Sequence, residues 1–139
     1  MAVERTLAII KPDAVKRGIQ GDILSRIHKA GFAIIAIKSL KLSKGEAEGF
    51  YAVHKARPFF GELTDFMSSG KAIFMVLEAK GAILKWRETM GATDPAKAAP
   101  GTIRRDLGTS IGNNCTHGSD APDAAAFEIA YFFSGMELF

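Results

Sequence analysis

The chain has 139 residues, 47% hydrophobic and 24% charged, which suits one globular domain spanning 1–139 and excludes disorder as its main state. Its formal charge of +3 is a mild bias toward anionic partners, too weak for a nucleic-acid coat. No apolar run approaches the ~20 residues that span a membrane. No signal or transit pattern leads the chain, and the single cysteine, Cys115, excludes an intrachain disulfide and suits a reducing compartment such as the cytoplasm.

Thr6-Leu7-Ala8-Ile9-Ile10 is apolar and lacks polar alternation, which predicts a central strand covered on both faces and stopped by Lys11-Pro12-Asp13. Ile19, Ile23, Ile27 and Ala30 recur at helical spacing, with Gly31 as terminator. Phe32 to Leu42 returns to strand character. Ser43-Lys44-Gly45-Glu46 has the spacing of a capping box and predicts a helix through about Ala52. Arg57-Pro58-Phe59-Phe60-Gly61 interrupts, and Glu62 to Ser69 reads as a short helix ended by Gly70. A third strand spans Ala72 to Leu77, and a helix spans Ala82 to Met90. From Ala92 to about Asn113 periodicity fails, and a loop that long in a compact domain is usually functional or an interface. A short extended segment then carries His117 into a last helix, with Pro122 in its first turn, running to Phe133. This order predicts an α/β (α+β) sandwich, a ferredoxin-like βαββαβ arrangement of four antiparallel strands covered by helices.

Absent motifs narrow the chemistry. The sequence contains no G-x-x-x-x-G-K-[ST] loop, no G-x-G-x-x-G after the first strand and no zinc-like Cys/His spacing. His117, in Asn114-Cys115-Thr116-His117-Gly118-Ser119-Asp120, is the most informative residue: small neighbours leave the ring accessible beside a helix start. The alternative for any lone histidine is a loop surface residue, the reading kept for His28 and His54. Cys115 reads as a small packed residue rather than as a nucleophile paired with His117. Glu128 shares a helix face with apolar neighbours, so it either needs a partner or lies at an exposed edge. Arg87 lies on the face of Ile83 and Met90; Lys11 ends a buried strand; Arg104 sits in the long loop. Each alone is a solvated charge, whereas several cations converging near one histidine make a phosphate site.

Together these residues resemble the nucleoside diphosphate kinase family over the whole chain. The Asn114–Asp120 segment is similar to that family's signature around its phosphorylated histidine. Thr6 to Asp13, Phe50-Tyr51 with Arg57 to Phe60, Arg87 through Thr93, and Pro100-Gly101-Thr102-Ile103-Arg104 agree in order and spacing. The resemblance implies transfer of a γ-phosphate from a nucleoside triphosphate to a nucleoside diphosphate, ping-pong through phospho-His117. It implies that Glu128 orients the ring, Ser119 supports Glu128, and Tyr51 lies beside the histidine. Arg87, Thr93 and Arg104 would hold phosphates, and Lys11 and Asn114 the sugar hydroxyl and a nearby phosphate oxygen. Phe59 would be the base platform, giving broad base specificity. Mg²⁺ would arrive on the nucleotide, without a protein cage.

A homo-oligomer, hexamer or tetramer, is expected from the same resemblance, with no membrane and no specific nucleic-acid partner. Cys115 and Thr116 stand where the family usually has apolar or small residues. Arg105 stands where a small residue is common, and Lys71 where proline is. Cys115 raises the expectation of oxidant sensitivity. A nucleic-acid-binding module and a catalytically silent assembly protein are the alternatives. The first is disfavoured because Phe74 lies in a wholly apolar strand without interleaved basic residues.

Overall fold

The computed structural model describes residues 2–139. Four strands form the sheet: β1 (Val3–Ile10), β2 (Ala33–Leu40), β3 (Ala72–Lys80) and β4 (Thr116–Gly118). They lie in the order β2-β3-β1-β4 with every pairing antiparallel, the expected α+β arrangement. The helices are α1 (Pro12–Lys16), α2 (Gln20–Lys29), α3 (Lys44–Phe50), α4 (Phe60–Met67), α5 (Ala82–Met90), α6 (Ile103–Leu107) and α7 (Pro122–Phe132). Single 3₁₀ turns occupy Ala52–His54, Pro95–Lys97 and Gly135–Glu137.

β1 has no polar alternation because it is flanked on both sides and covered on both faces. Leu7 and Ile9 join Phe50, Met67, Phe74 and Val76 in one apolar layer. Ala8 and Ile10, pointing the other way, join Ile23, Ile27, Met75, Leu77 and Trp86. The capping box forms as its spacing predicts: Glu46 N donates to Ser43 Oγ at 3.1 Å and Ser43 N to Glu46 Oε1 at 2.8 Å.

Several segments differ from the sequence expectation, among them β3, which runs past Leu77 to Lys80. Lys11-Pro12-Asp13 stops β1 but also opens α1, with Pro12 in the first helical turn, where its missing N–H costs nothing. α4 begins at Phe60, two residues earlier than expected. The aperiodic stretch 92–113 contains α6, a five-residue helix with Thr102 as its N-cap. Its length is too short to leave a periodic signature, and contacts from distant segments hold it.

Candidate active site

β4 is three residues long, and its register with β1 sets Ile9 opposite His117 and Ala8 opposite Gly118. His117 therefore shares the Ile9 face, where the Phe50 ring lies 5.6 Å and the Tyr51 ring 6.2 Å away, both edge-on. Gly118 faces the other layer, where an added Cβ would come within 2.4 Å of Trp86 Cδ1. Trp86 Nε1 donates to the His117 carbonyl at 3.1 Å. The small residue after the histidine thus lets a buried indole hold the histidine's own backbone.

The approach to β4 is a γ-turn. Thr116 N donates to the Asn114 carbonyl at 2.9 Å, and the residue between them, Cys115, has φ +76°. That conformation is rare for a residue with a side chain and must be held from outside. Cys115 N donates to Asp13 Oδ2 at 3.1 Å, and Lys11 N donates to the Cys115 carbonyl at 2.8 Å. The same two bonds keep Lys11 beside Asn114 and His117. Cys115 is fully buried, and burial, then the Asp13 charge, pushes its thiol up. It packs as a neutral thiol, against the expectation of oxidant sensitivity.

His117 Nε2 lies 2.9 Å from Glu128 Oε1, and Ser119 Oγ donates to the same oxygen at 2.9 Å. Leu7 N donates to Ser119 Oγ at 3.2 Å, anchoring the serine on β1. Glu128 therefore has partners on its helix face, which resolves the exposed-edge alternative. With Nε2 engaged, Nδ1 is the ring nitrogen left for a substrate. Burial, then the Glu128 carboxylate, raises Tyr51 well above the ordinary phenol range, so it stays protonated.

A cavity of about 800 Å³ opens over His117, Lys11, Tyr51, Asn114 and Arg104 and continues to Phe59, whose ring is 42% exposed. A second depression of about 610 Å³ shares Thr93 and Arg104 with it and adds Arg87, Glu88 and Asp120. Arg104 stands at the junction, its Nη atoms donating to the carbonyls of Gly91 at 3.0 Å and Thr116 at 2.9 Å. Burial, then the charge of Arg87, lowers Arg104 from its ordinary value. Burial is also the main cause that pushes Lys11 down to about 8, opposed by Asp13. Asn114 Nδ2 donates to the Thr93 carbonyl at 3.0 Å, while its Oδ1 is buried without a partner.

All ten expected site residues lie in this region, eight lining the two depressions and Ser119 and Glu128 behind the ring. Arg87 differs from its placement on a buried face: it is exposed, and Trp86 takes the interior position with Ile83 and Met90. His54, read as a loop surface residue, sits half-buried in the Ala52–His54 turn. Its ring lies 5.6 Å from Phe59 and lines the larger cavity. Ile111, 59% exposed, lines the same cavity from the long loop; no periodicity marks it. Trp86 carried a readable signal, a helix aromatic placed four residues before the Met90 end.

The sequence model of one family, nucleoside diphosphate kinase, matches residues 4–138. A nucleoside diphosphate kinase of Desulfotalea psychrophila is 62% identical over 98% of this chain and 99% of its own length. One of Bradyrhizobium is 60% identical over 99% of both chains. Among solved structures, the Aquifex aeolicus nucleoside diphosphate kinase superposes with TM-score 0.97 at 48% identity, covering 99% of this chain and all of that one. The Halobacterium salinarum enzyme, solved in complex with CDP, gives TM-score 0.94 at 43% identity over 99% of this chain and 92% of that one.

Proposed function

The chain belongs to the nucleoside diphosphate kinase family and is a phosphotransferase; on that premise we propose that its transfer runs in two half-reactions through a phosphate carried on His117. The observation that carries this reading is the 2.9 Å contact of His117 Nε2 with Glu128, which leaves Nδ1 to the cavity.

In the first half-reaction the Nδ1 lone pair attacks the γ-phosphorus of a nucleoside triphosphate. The Nδ1–P bond forms as the bond from phosphorus to the β,γ-bridging oxygen breaks. The nucleoside diphosphate leaves with that electron pair. The Nε2 proton stays on the ring, where Glu128 balances the positive charge that develops. In the second half-reaction a terminal oxygen of another nucleoside diphosphate attacks the same phosphorus and the P–N bond returns its pair to Nδ1. Such transfers depend mostly on positioning and charge. Arg87, Thr93 and Arg104 hold the phosphates, Lys11 and Asn114 bind the sugar hydroxyl and a phosphate oxygen, and Tyr51 borders the ring.

The base stacks on Phe59, with Ile111 lining the same cavity. Apolar walls accept any base, which supports broad base specificity. The CDP carried by the Halobacterium relative supports a nucleoside diphosphate as ligand.

Mg²⁺ fits the phosphate end. Glu88 and Asp120 border it, but no group of three His, Cys, Asp or Glu able to hold a metal occurs among the described residues. That donor set suits an ion that arrives on the nucleotide and keeps its waters. When bound it supplies neutralisation of phosphate charge.

The reading includes a homo-oligomer, supported by the exposed Ile34 and Ile37 on the edge strand β2. It also includes a cytoplasmic location; no helix among the described residues is long and apolar enough to cross a membrane.

Incubation with γ-labelled ATP and Mg²⁺, without acceptor, tests the mechanism. Wild type acquires an acid-labile, alkali-stable label that chases onto added nucleoside diphosphate, and His117→Ala acquires none. Equal labelling of both would overturn it.

A further inference from the structure

We propose that Arg26 and Asp106 are positioning residues for phosphate transfer, an ion pair that fixes the short helix α6 so that Arg104 meets the nucleotide phosphates. This rests on the reading of Arg104 as a phosphate ligand.

α6 has five residues, too few to hold its shape without outside contacts. It hangs in the long segment between α5 and β4, yet it delivers the arginine at the junction of the two depressions. One side of α6 is set by close approach. Gly91 has φ +87°, and a Cβ there would come within 2.5 Å of Thr102 Oγ1, the N-cap of α6. That approach brings the Gly91 carbonyl within 3.0 Å of Arg104 Nη1.

The opposite side is set by charge. Arg104 and Asp106 are two residues apart, about 200° around a helix, so one faces the site while the other faces away. Asp106 Oδ1 accepts from Gly101 N at 3.2 Å, closing the loop that leads into α6. Its Oδ2 accepts from Arg26 Nη1 at 2.8 Å. Arg26 is itself held, since Nε donates to Asp22 at 2.8 Å and Nη1 also reaches the Gly101 carbonyl at 3.4 Å.

Arg26 thereby ties α6 to α2, whose Ile23 and Ile27 are fully buried. A rigid helix of the core holds a small one that could not hold itself. The pair lies at the surface, its side chains 26% and 34% exposed, so its part is to fix geometry rather than to add much stability. The hydrogen bond from Arg26 is also the main cause that holds the Asp106 carboxyl below its ordinary range.

The test is a mutant cycle read by single-turnover phosphorylation of His117 with Mg-ATP, on variants shown by thermal unfolding to be folded at the assay temperature. Arg26→Gln and Asp106→Asn should each lower the ratio of maximal rate to half-saturating concentration about three- to fivefold. In an Arg104→Ala background, already impaired, neither substitution should lower it further, because there is no arginine left to misplace. A merely structural role would subtract equally in both backgrounds.

Full additivity, or wild-type rates for both single variants beside an impaired Arg104→Ala, overturns the proposal and leaves Arg104 as a phosphate ligand. Wild-type rates for Arg104→Ala overturn the ligand reading and the proposal with it. If Asp106→Asn folds poorly, Arg26→Gln carries the cycle alone, since Arg26 flanks the buried Ile23 and Ile27 face of α2 without joining it and Gln keeps most of its stem.

Discussion

Lys11 is a buried ammonium lining the cavity over His117, and burial brings its charge close to its limit. Burial pushes it down to about 8 from an ordinary value of 10.5, so the free enzyme loses this cation as pH rises through about 8. If the ammonium is the form that meets phosphate, kcat/KM falls on the alkaline side with an apparent midpoint near 8. A pH profile checks this, and Lys11→Arg, whose guanidinium stays charged, moves the limb to higher pH. A profile flat well above pH 8 in the wild type would contradict it. For stability the sign is the reverse. The folded state binds fewer protons than the unfolded chain between about 8 and 10.5, so Lys11 makes the fold more stable with rising pH across that window. Glu128 acts at the same scale. Replacing it by Gln keeps the shape but removes the charge opposite His117 Nε2. The rate of His117 labelling should drop about 10- to 100-fold with nucleotide affinity little changed, measured by single turnover.

At the scale of elements, β4 does more than its three residues suggest. It is pinned by β1 on one edge, by Trp86 from α5 through the His117 carbonyl, and by the γ-turn at Cys115. Gly118→Ala would drive a methyl group into the indole at a distance no packed carbon tolerates. Overpacking of this kind costs about 1–3 kcal/mol. The melting temperature should fall by about 5 °C or more, and His117 labelling should slow with it. Calorimetry beside the labelling assay reads both, and an unchanged melting temperature would show that the indole simply moves aside. The legibility of elements follows the same logic. Long periodic segments such as α2, and unbroken apolar ones such as β1, are readable because burial of a whole face dictates their residue pattern. α6 is not readable, because its five residues owe their helix to Thr102, Gly91 and Arg26. The site shows the same division. His117 stood out by its setting, and Lys11, Arg87 and Arg104 as isolated cations, while Trp86, His54 and Ile111 become site neighbours only when distant segments meet.

Over the whole molecule, the sheet leaves one long edge open. Among the described residues β2 pairs only with β3, and it carries Ile34 at 39% and Ile37 at 49% exposure, an arrangement that invites a second copy. Wild type should sediment as an oligomer, and Ile37→Lys should shift it toward smaller species, with the β2–β3 pairing kept. A wild-type monomer, or an unchanged distribution in the variant, would place the contacts elsewhere.

The sequence by itself determined the order of the strands and of the longer helices, the central place of β1 and the candidate nucleophile, because each depends on residue types and spacings within one segment. Its +3 charge pointed only weakly toward anions. The tertiary structure alone decided that Lys11 and Arg104 line one cavity with His117, that Arg87 lines the depression adjoining it, and which ring nitrogen Glu128 engages. Convergence is a property of how β1, α5, α6 and β4 pack, and local pattern carries no record of distances across the fold.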